Sequence, residues 1–301
     1  MSNPKISVVI PTKNRIEELS RTIASVLNQS FQDFEVLIVD DHSEEDIQKF
    51  VESQNDDRIK YFKSDKTPSN ANVCRNIGIK ESIGEFVAML DSDDEWLPDH
   101  LTSTLAYLEN KECQGVFGSI IVEDGLSRKV AYSLPLLEGQ KMINYILSGG
   151  NVQTSTHLYT RESALEIGWD ESLFRHQDFD FAVRYHQRFN FLPIIEPSTI
   201  VHWKAGEKRT EHFESMMRFI SINESNISAL NYLNYHKNVL NRIKHRADIS
   251  PEIKNHYKNE VLRFIQMISL NDYLLIFGNM KNALGRFYLR LEFIFKILIK
   301  R

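Results

Sequence analysis

Residues 85–96 read Glu-Phe-Val-Ala-Met-Leu-Asp-Ser-Asp-Asp-Glu-Trp, an apolar run that passes without a break into a cluster of acids. The apolar part has the length and character of an interior strand, and Asp91, Asp93 and Asp94 fall where that strand ends. Carboxylates set this close repel one another unless a cation or a group of donors offsets their charge. Hard divalent cations take oxygen ligands, and magnesium or manganese is commonly held by one or two carboxylates together with the phosphates of a substrate. One reading of Asp91-Ser92-Asp93 is thus a clamp for metal and diphosphate. The residues alone leave a second reading open, an acidic turn ahead of a helix over 98–108 with Asp94 or Asp99 as its N-cap.

Working outward, residues 6–10 form a β-branched run broken by Pro11-Thr12-Lys13-Asn14. Ile16, Leu19, Ile23, Val26 and Leu27 then recur at helical spacing, with Asn14 and Glu17 placed as a capping pair. Residues 35–39 make a second apolar strand that ends in Asp40-Asp41-His42-Ser43, followed by a polar helix over 44–54. A short strand at 59–62 and a helix at 70–82 precede the acidic stretch. Strands alternating with helices predict a parallel sheet covered on both faces, and ligands of such sheets bind beyond the carboxyl ends of the strands. Three of those ends carry polar clusters, which are expected to meet in one crevice. Neither the glycine-rich dinucleotide fingerprint nor a P-loop follows the first strand, so phosphate would have to be held by metal and side chains.

The whole chain narrows the classes. Its 301 residues allow one substantial core with a smaller appended region. A hydrophobic content of 42% with 26% charged residues is that of a soluble globular protein. A net charge of -5 argues against a nucleic-acid binder held mainly by phosphate contacts. Cys74 and Cys113 are too few and too far apart for a disulfide framework or a cysteine-based zinc site, which fits a reducing, cytoplasmic setting. No secretory leader and no apolar run long enough to cross a bilayer is evident.

The blocks Ile6-Ser-Val-Val-Ile-Pro-Thr-Lys-Asn14, Ser25 through Asp40-Asp41-His42-Ser43, Arg75-Asn-Ile-Gly78 and Asp91-Ser-Asp-Asp-Glu-Trp-Leu-Pro98 resemble, in order and spacing, the inverting GT-A glycosyltransferases of family 2. The resemblance covers residues 5 to 110. It implies a GT-A fold, a Rossmann-like and mostly parallel α/β sheet flanked by helices, with a helical C-terminal region. The expected division is a catalytic domain over 1–208, its nucleotide-sugar half at 1–110 and its acceptor half at 111–208, and then helices over 209–301. Carried over residue by residue, Pro11, Thr12 and Asn14 lie by the nucleotide, Asp41 pairs with the uracil ring with Asp40 beside it, and Arg75 stands near the diphosphate. Asp91, Ser92 and Asp93 form the Asp-x-Asp segment, with Asp93 and then Asp91 the metal ligands.

In the acceptor half, strands are expected at 116–122 and 156–159 and a helix at 140–147. Residues 161–173 resemble the family segment that leads into its catalytic helix, which here starts His176-Gln-Asp-Phe-Asp. The family's usual Glu-Asp pair is Gln177-Asp178 in this chain, so one carboxylate is missing while the expected general base, Asp178, remains. Asp180 is the nearby acid that could assist or replace it, and placement of Asp178 at a helix N-terminus is the structural alternative. Phe179, Ala182, Val183 and His186 are expected on one face of that helix. His202, after a strand at 199–204, resembles a histidine that some relatives place near the metal, and Lys204 or Arg209 could meet phosphate. A histidine in such a place is otherwise structural.

Helices are expected over 213–233, 252–270 and 273–300. Residues 277–301 mix Phe287, Leu291 and Ile294 with Arg286, Arg290 and Lys296, which reads as a basic amphipathic anchor on the inner face of the plasma membrane or as a helix packed on the core or a second subunit. The resemblance therefore implies an inverting, Mn2+- or Mg2+-dependent transfer of a sugar from a UDP-sugar donor to a glycan or undecaprenyl-linked glycan acceptor in surface polysaccharide assembly. The alternative is a non-catalytic sugar-nucleotide-binding or scaffold protein on the same fold, and a nucleotidyltransferase is disfavoured by the missing glycine-rich loop.

Overall fold

The computed structural model of the chain describes residues 3–203 and 211–267. Within them lies one curled sheet of nine strands, ordered β3-β2-β1-β4-β8-β6-β9-β5, with β7 beside β6. Third in this order is β1 (Ile6–Thr12), whose seven residues are all buried. It pairs in parallel with β2 (Phe34–Asp40) and β4 (Phe86–Met89), and β2 pairs in parallel with β3 (Ile59–Lys63). This is the expected parallel half. Beyond β4 the directions mix: β8 (Leu158–Thr160) runs antiparallel to β4 and to β6 (Gly115–Glu123), while β9 (Phe191–His202) returns parallel to β6. The two-residue β5 (Glu95–Trp96) lies antiparallel on β9, and β7 (Arg128–Ala131) antiparallel on β6. The ends of β1, β4 and β6 thus face one edge of the sheet.

Helices α1 (Ile16–Leu27), α2 (Ile47–Glu52), α3 (Ala71–Glu81), α4 (His100–Asn110), α5 (Met142–Leu147), α6 (Arg161–Ile167), α7 (Gln177–His186) and α8 (Phe213–Asn223) accompany the sheet. Two contacts fix α3, which carries Arg75. Asn70 caps it by accepting from the amides of Asn72 and Val73 at 2.8 and 3.2 Å. Gly78 then lets it lie on β1, because a Cβ there would fall 2.3 Å from Val9 Cγ1. At the opposite edge of the sheet the buried Glu35 is satisfied by Ser7 Oγ at 2.6 Å, Lys60 Nζ at 2.8 Å and the Ile83 amide at 2.9 Å.

Several local expectations are corrected. Asn14 does not cap α1. It adopts φ 51° and its Oδ1 accepts from the Glu44 amide at 2.7 Å, which ties the turn after β1 to the loop after β2. The polar helix of 44–54 shrinks to α2, because Asp46 caps it by accepting from the Lys49 amide at 3.0 Å. On α7 the buried residues are Asp180, Phe181, Ala182, Val183 and Tyr185, so Phe179 and His186 flank the inward face instead of lining it. Strand β9 starts eight residues before Thr199, with its register against β6 interrupted between Gly118 and Ile120.

The described chain divides between Asn223 and Glu224, so α8 belongs to the first unit. The helix expected over 213–233 is broken: α8 ends at Asn223, and Ser228 starts α9 (Ala229–Ile243) by accepting from the Asn231 amide at 3.4 Å. In the second unit α9 meets α10 (Pro251–Met267) through Tyr232, whose hydroxyl donates to Glu260 at 2.6 Å, with Arg263 stacked 5.5 Å from the Tyr232 ring. Lys204, Arg209 and the amphipathic stretch 277–301 lie outside the described residues. Among the described residues no helix is long and apolar enough to cross a membrane.

Candidate active site

The strand ends do meet. Pro11, Thr12 and Lys13 from the end of β1, Asp41 from the end of β2, Ala71 and Arg75 from α3, and Asp91, Ser92 and Asp93 from the end of β4 line a cavity of about 370 Å³ together with Arg15. At its β2 side the Asp41 amide donates to the Thr12 carbonyl at 2.8 Å, which locks the two strand ends together. Asp41 is 8% exposed, and its Oδ2 takes a long contact of 3.4 Å from Lys13 Nζ. Its Oδ1 and the hydroxyl of Thr12 are buried without a partner, so both stand ready for an occupant. Asp40 has other work. It accepts from the Ser43 amide at 2.9 Å and the Tyr61 hydroxyl at 3.0 Å, and so shapes the turn that presents Asp41. Burial, and then the Asp40 charge, push the Tyr61 hydroxyl up to about 12.

At the β4 side Arg75, 4% exposed, lies over the Trp169 ring at 4.5 Å and donates to Asp91 Oδ1 at 2.7 Å and to Asn72 Oδ1 at 2.8 Å. Asp93 pairs with Arg15. Burial holds its carboxyl above the usual range, an effect that the Arg15 charge opposes. Asp94 points inward, where it accepts from Ser155 Oγ at 2.5 Å; burial, then the neighbouring Asp91 and Asp93, push its carboxyl well up. It caps no helix, and Asp99 reaches the N-cap position of α4 without a side-chain hydrogen bond. Ser155 also accepts from the Asp91 amide at 3.1 Å, and its carbonyl accepts from the Trp96 indole at 2.7 Å. One serine in a short turn after α5 thereby holds Asp91, Asp94 and Trp96 of the acidic stretch.

Asp178 is the second residue of α7, and its nearest charged influences after burial are Arg175, Arg75 and Asp91. Burial is the leading effect and raises its carboxyl above 3.8, while the Phe179 amide donating to Oδ1 at 3.0 Å opposes the rise. Asp180 is held by Arg184 at 2.7 Å, and Arg184 is in turn bound to the carbonyls of Ile167 and Gly168. Gln177 Oε1 lies 3.5 Å from Arg75. The segment ahead of α7 hangs from α3: Asn70 donates to the Glu171 carbonyl, Asn72 to those of Asp170 and Leu173, and Asn76 to that of Trp169, at 2.7 to 3.2 Å. His202 Nε2 sits 2.6 Å from Glu95 Oε1, with its Nδ1 3.9 Å from Glu123, and shares a second hollow with Asp93.

The family model of Glycosyl transferase family 2 matches residues 7–168, more than half of the chain. The chain belongs to that family. The amylovoran biosynthesis glycosyltransferase AmsB of Erwinia amylovora is 36% identical over 214 residues, covering 67% of this chain and 71% of that protein. The GalNAc(5)-diNAcBac-PP-undecaprenol β-1,3-glucosyltransferase of Campylobacter jejuni is 41% identical over 122 residues, which are 40% of this chain and 39% of that enzyme. Among solved structures, that of S. aureus TarS 1–349 in complex with UDP superposes with a TM-score of 0.64 at 19% identity, covering 87% of this chain and 80% of that one. This likeness is one of fold, and the sheet described above is the GT-A sheet.

Set on the family-2 fold, Pro11, Thr12, Asp41, Arg75, Asp91, Ser92 and Asp93 all reach the one cavity. Asn14 and Asp40 do not line it and act on the loops that do. Lys13, Arg15, Asn72 and Ser155 were not singled out from the sequence. The first two sit in the Pro-Thr-Lys-Asn-Arg turn, where cations after a strand end were the available signal. Among the described residues no three His, Cys, Asp or Glu side chains are grouped to hold a metal by themselves. Two carboxylates beside a cation-lined cavity instead suit an anionic ligand that brings oxygen ligands of its own.

Proposed function

We propose that this glycosyltransferase transfers a sugar from a UDP-sugar to a hydroxyl of a glycan acceptor, with inversion and with a divalent cation, during surface polysaccharide assembly. The observation that carries the reading is the pair of partnerless atoms, Asp41 Oδ1 and Thr12 Oγ1, at one side of a cavity whose other side holds Arg75, Asp91 and Asp93. A uracil ring offers an imide N–H to an aspartate, and a diphosphate offers anionic oxygens to an arginine and a metal. UDP in the TarS structure supports that choice of nucleotide. The undecaprenol-linked substrate in the name of the Campylobacter relative supports a lipid-linked acceptor.

We assign the cation, manganese or magnesium, to Asp91 and Asp93. Their hard oxygens suit it, and the burial that disfavours charge on Asp93 would be offset by it. Such an ion neutralises charge on the leaving diphosphate. We leave His202 out of this pair, because its Nε2 is engaged by Glu95 at 2.6 Å. Arg75, held rigid by Trp169 and Asn72, supplies further positive charge without having to reorganise. Asp178 takes the proton of the attacking hydroxyl, because an alcohol is a poor nucleophile near neutral pH. A single displacement then inverts the anomeric centre; Asp180, bound to Arg184, supplies no second carboxylate.

The test is a calorimetric titration of UDP and of GDP into the protein, each with manganese and with chelator. Manganese-dependent binding of UDP alone is the expected result. Binding of neither nucleotide removes the reading and leaves a non-catalytic scaffold. Release of pyrophosphate in place of UDP during turnover reassigns the chain to sugar-nucleotide synthesis.

A further inference from the structure

Two hollows adjoin the acidic stretch. The donor cavity of about 370 Å³ and a second hollow of about 630 Å³, walled by Glu123, Leu126, His202 and Trp203 among others, have only Arg15 and Asp93 in common. The ion pair that these two make is therefore the partition between them. It joins residues 78 apart in sequence, and Asp93 is the partner of Arg15 among the described residues. Arg15 is 44% exposed and stands at the N-cap of α1, on the long and flexible kind of side chain that can swing between anions.

The loop does not depend on that pair for its shape. Arg21 donates to the Asp93 carbonyl at 2.9 Å and holds Glu95 at 3.0 Å, while Thr22 donates to the Asp94 carbonyl at 2.8 Å. Helix α1 thus fastens the backbone of the acidic stretch with two side chains and leaves Arg15 to meet only a carboxylate. A cation bound to Asp93 and a guanidinium paired with it compete for the same oxygens. Entry of a diphosphate into the cavity that Arg15 also lines offers the displaced guanidinium two new charges.

We propose that Arg15 is an exchangeable counter-ion: it occupies Asp93 in the empty protein, gives way to the divalent ion, and turns onto the diphosphate of the bound donor. This rests on the assignment of the metal to Asp93 above. Arg15 then makes metal and nucleotide bind cooperatively, since each relieves the cost of moving it for the other.

The experiment measures manganese binding to the nucleotide-free protein and, separately, UDP binding at saturating manganese, for the native chain and for Arg15→Gln, Arg15→Lys and Asp93→Asn. Arg15→Gln is expected to bind manganese about two- to five-fold more tightly without nucleotide, the range of an exposed ion pair removed. The same variant is expected to bind UDP about ten-fold more weakly, as loss of a charge-assisted contact gives. Arg15→Lys should lie between it and the native chain on both counts. The opposite signs are the signature, because a merely structural arginine would weaken both. Unchanged or weaker manganese binding by Arg15→Gln overturns the exchange while leaving the Asp93 assignment intact, provided that Asp93→Asn loses the metal. Manganese binding that survives Asp93→Asn, or no binding by the native chain, overturns the metal assignment and the exchange together.

Discussion

A carboxylic acid can accept a proton only after it has lost its own, and the partial burial of Asp178 raises its carboxyl above the usual range. The acid limb of the pH–rate profile is therefore expected at a pH above that of an exposed aspartate, with turnover lost as pH falls through it. Asp178→Asn should lower kcat about 10²- to 10⁴-fold and leave the UDP affinity near its native value. A loss of nucleotide binding with turnover retained would displace Asp178 from the role of base. The linkage has the opposite sign for stability: a carboxyl with a raised folded value stabilises the fold in its protonated form, and that contribution is lost as pH rises through the folded value. At the other end of the cavity, Asp41→Ala should weaken UDP about ten-fold by calorimetry while sparing the fold, since Asp40 carries the turn. An unchanged affinity would move the base-binding end elsewhere. The acids at the ends of β2 and β4 were legible because the pattern locates those ends, whereas Arg75, inside α3, and Asp178 were singled out by the family resemblance. Ser155 was not, because its partners Asp91 and Asp94 lie 64 and 61 residues away and only the folded sheet brings them to it.

Among the elements, α3 decides the most, since it carries Arg75 and, on the same face, the asparagines from which the approach to α7 hangs. Asn70→Ala removes its cap and a bond to the Glu171 carbonyl, and is expected to reduce stability by about 1–2 kcal/mol in a urea titration. Gly78→Ala forces a methyl against Val9 and is expected to destabilise by about 1–3 kcal/mol. If Gly78→Ala is neutral, the packing of α3 on β1 is looser than described. The alternating strands and helices of the first half were readable because continuous apolar runs and their breaks coincide with the elements. The first part of β9 was not, because Pro193 and Pro197 argue against a strand; Pro193 is nonetheless paired with Phe117, and Pro197 falls where the register is interrupted. The break between α8 and α9 escaped for a different reason: apolar spacing continues across it, and a serine cap is a weaker signal than the period that it interrupts.

At the scale of the molecule, ligand binding to the first unit should register as stability. UDP with manganese at a hundred times its dissociation constant should stabilise residues 3–223 by about 2.7 kcal/mol, seen as a rise in the thermal midpoint that chelator abolishes. An equal rise in the presence of chelator would place the nucleotide without the metal. The cap and two further asparagines of α3, which grip the main chain between Trp169 and Leu173, have a further meaning in time. Every side chain lining the donor cavity has been synthesised by residue 93, yet the helix presenting Arg75 has its clasp only after residue 173 has left the ribosome. In a nascent chain the lining of that cavity is thus complete before the segment that clasps α3 has been made, and Asp178, the proposed base, follows that segment.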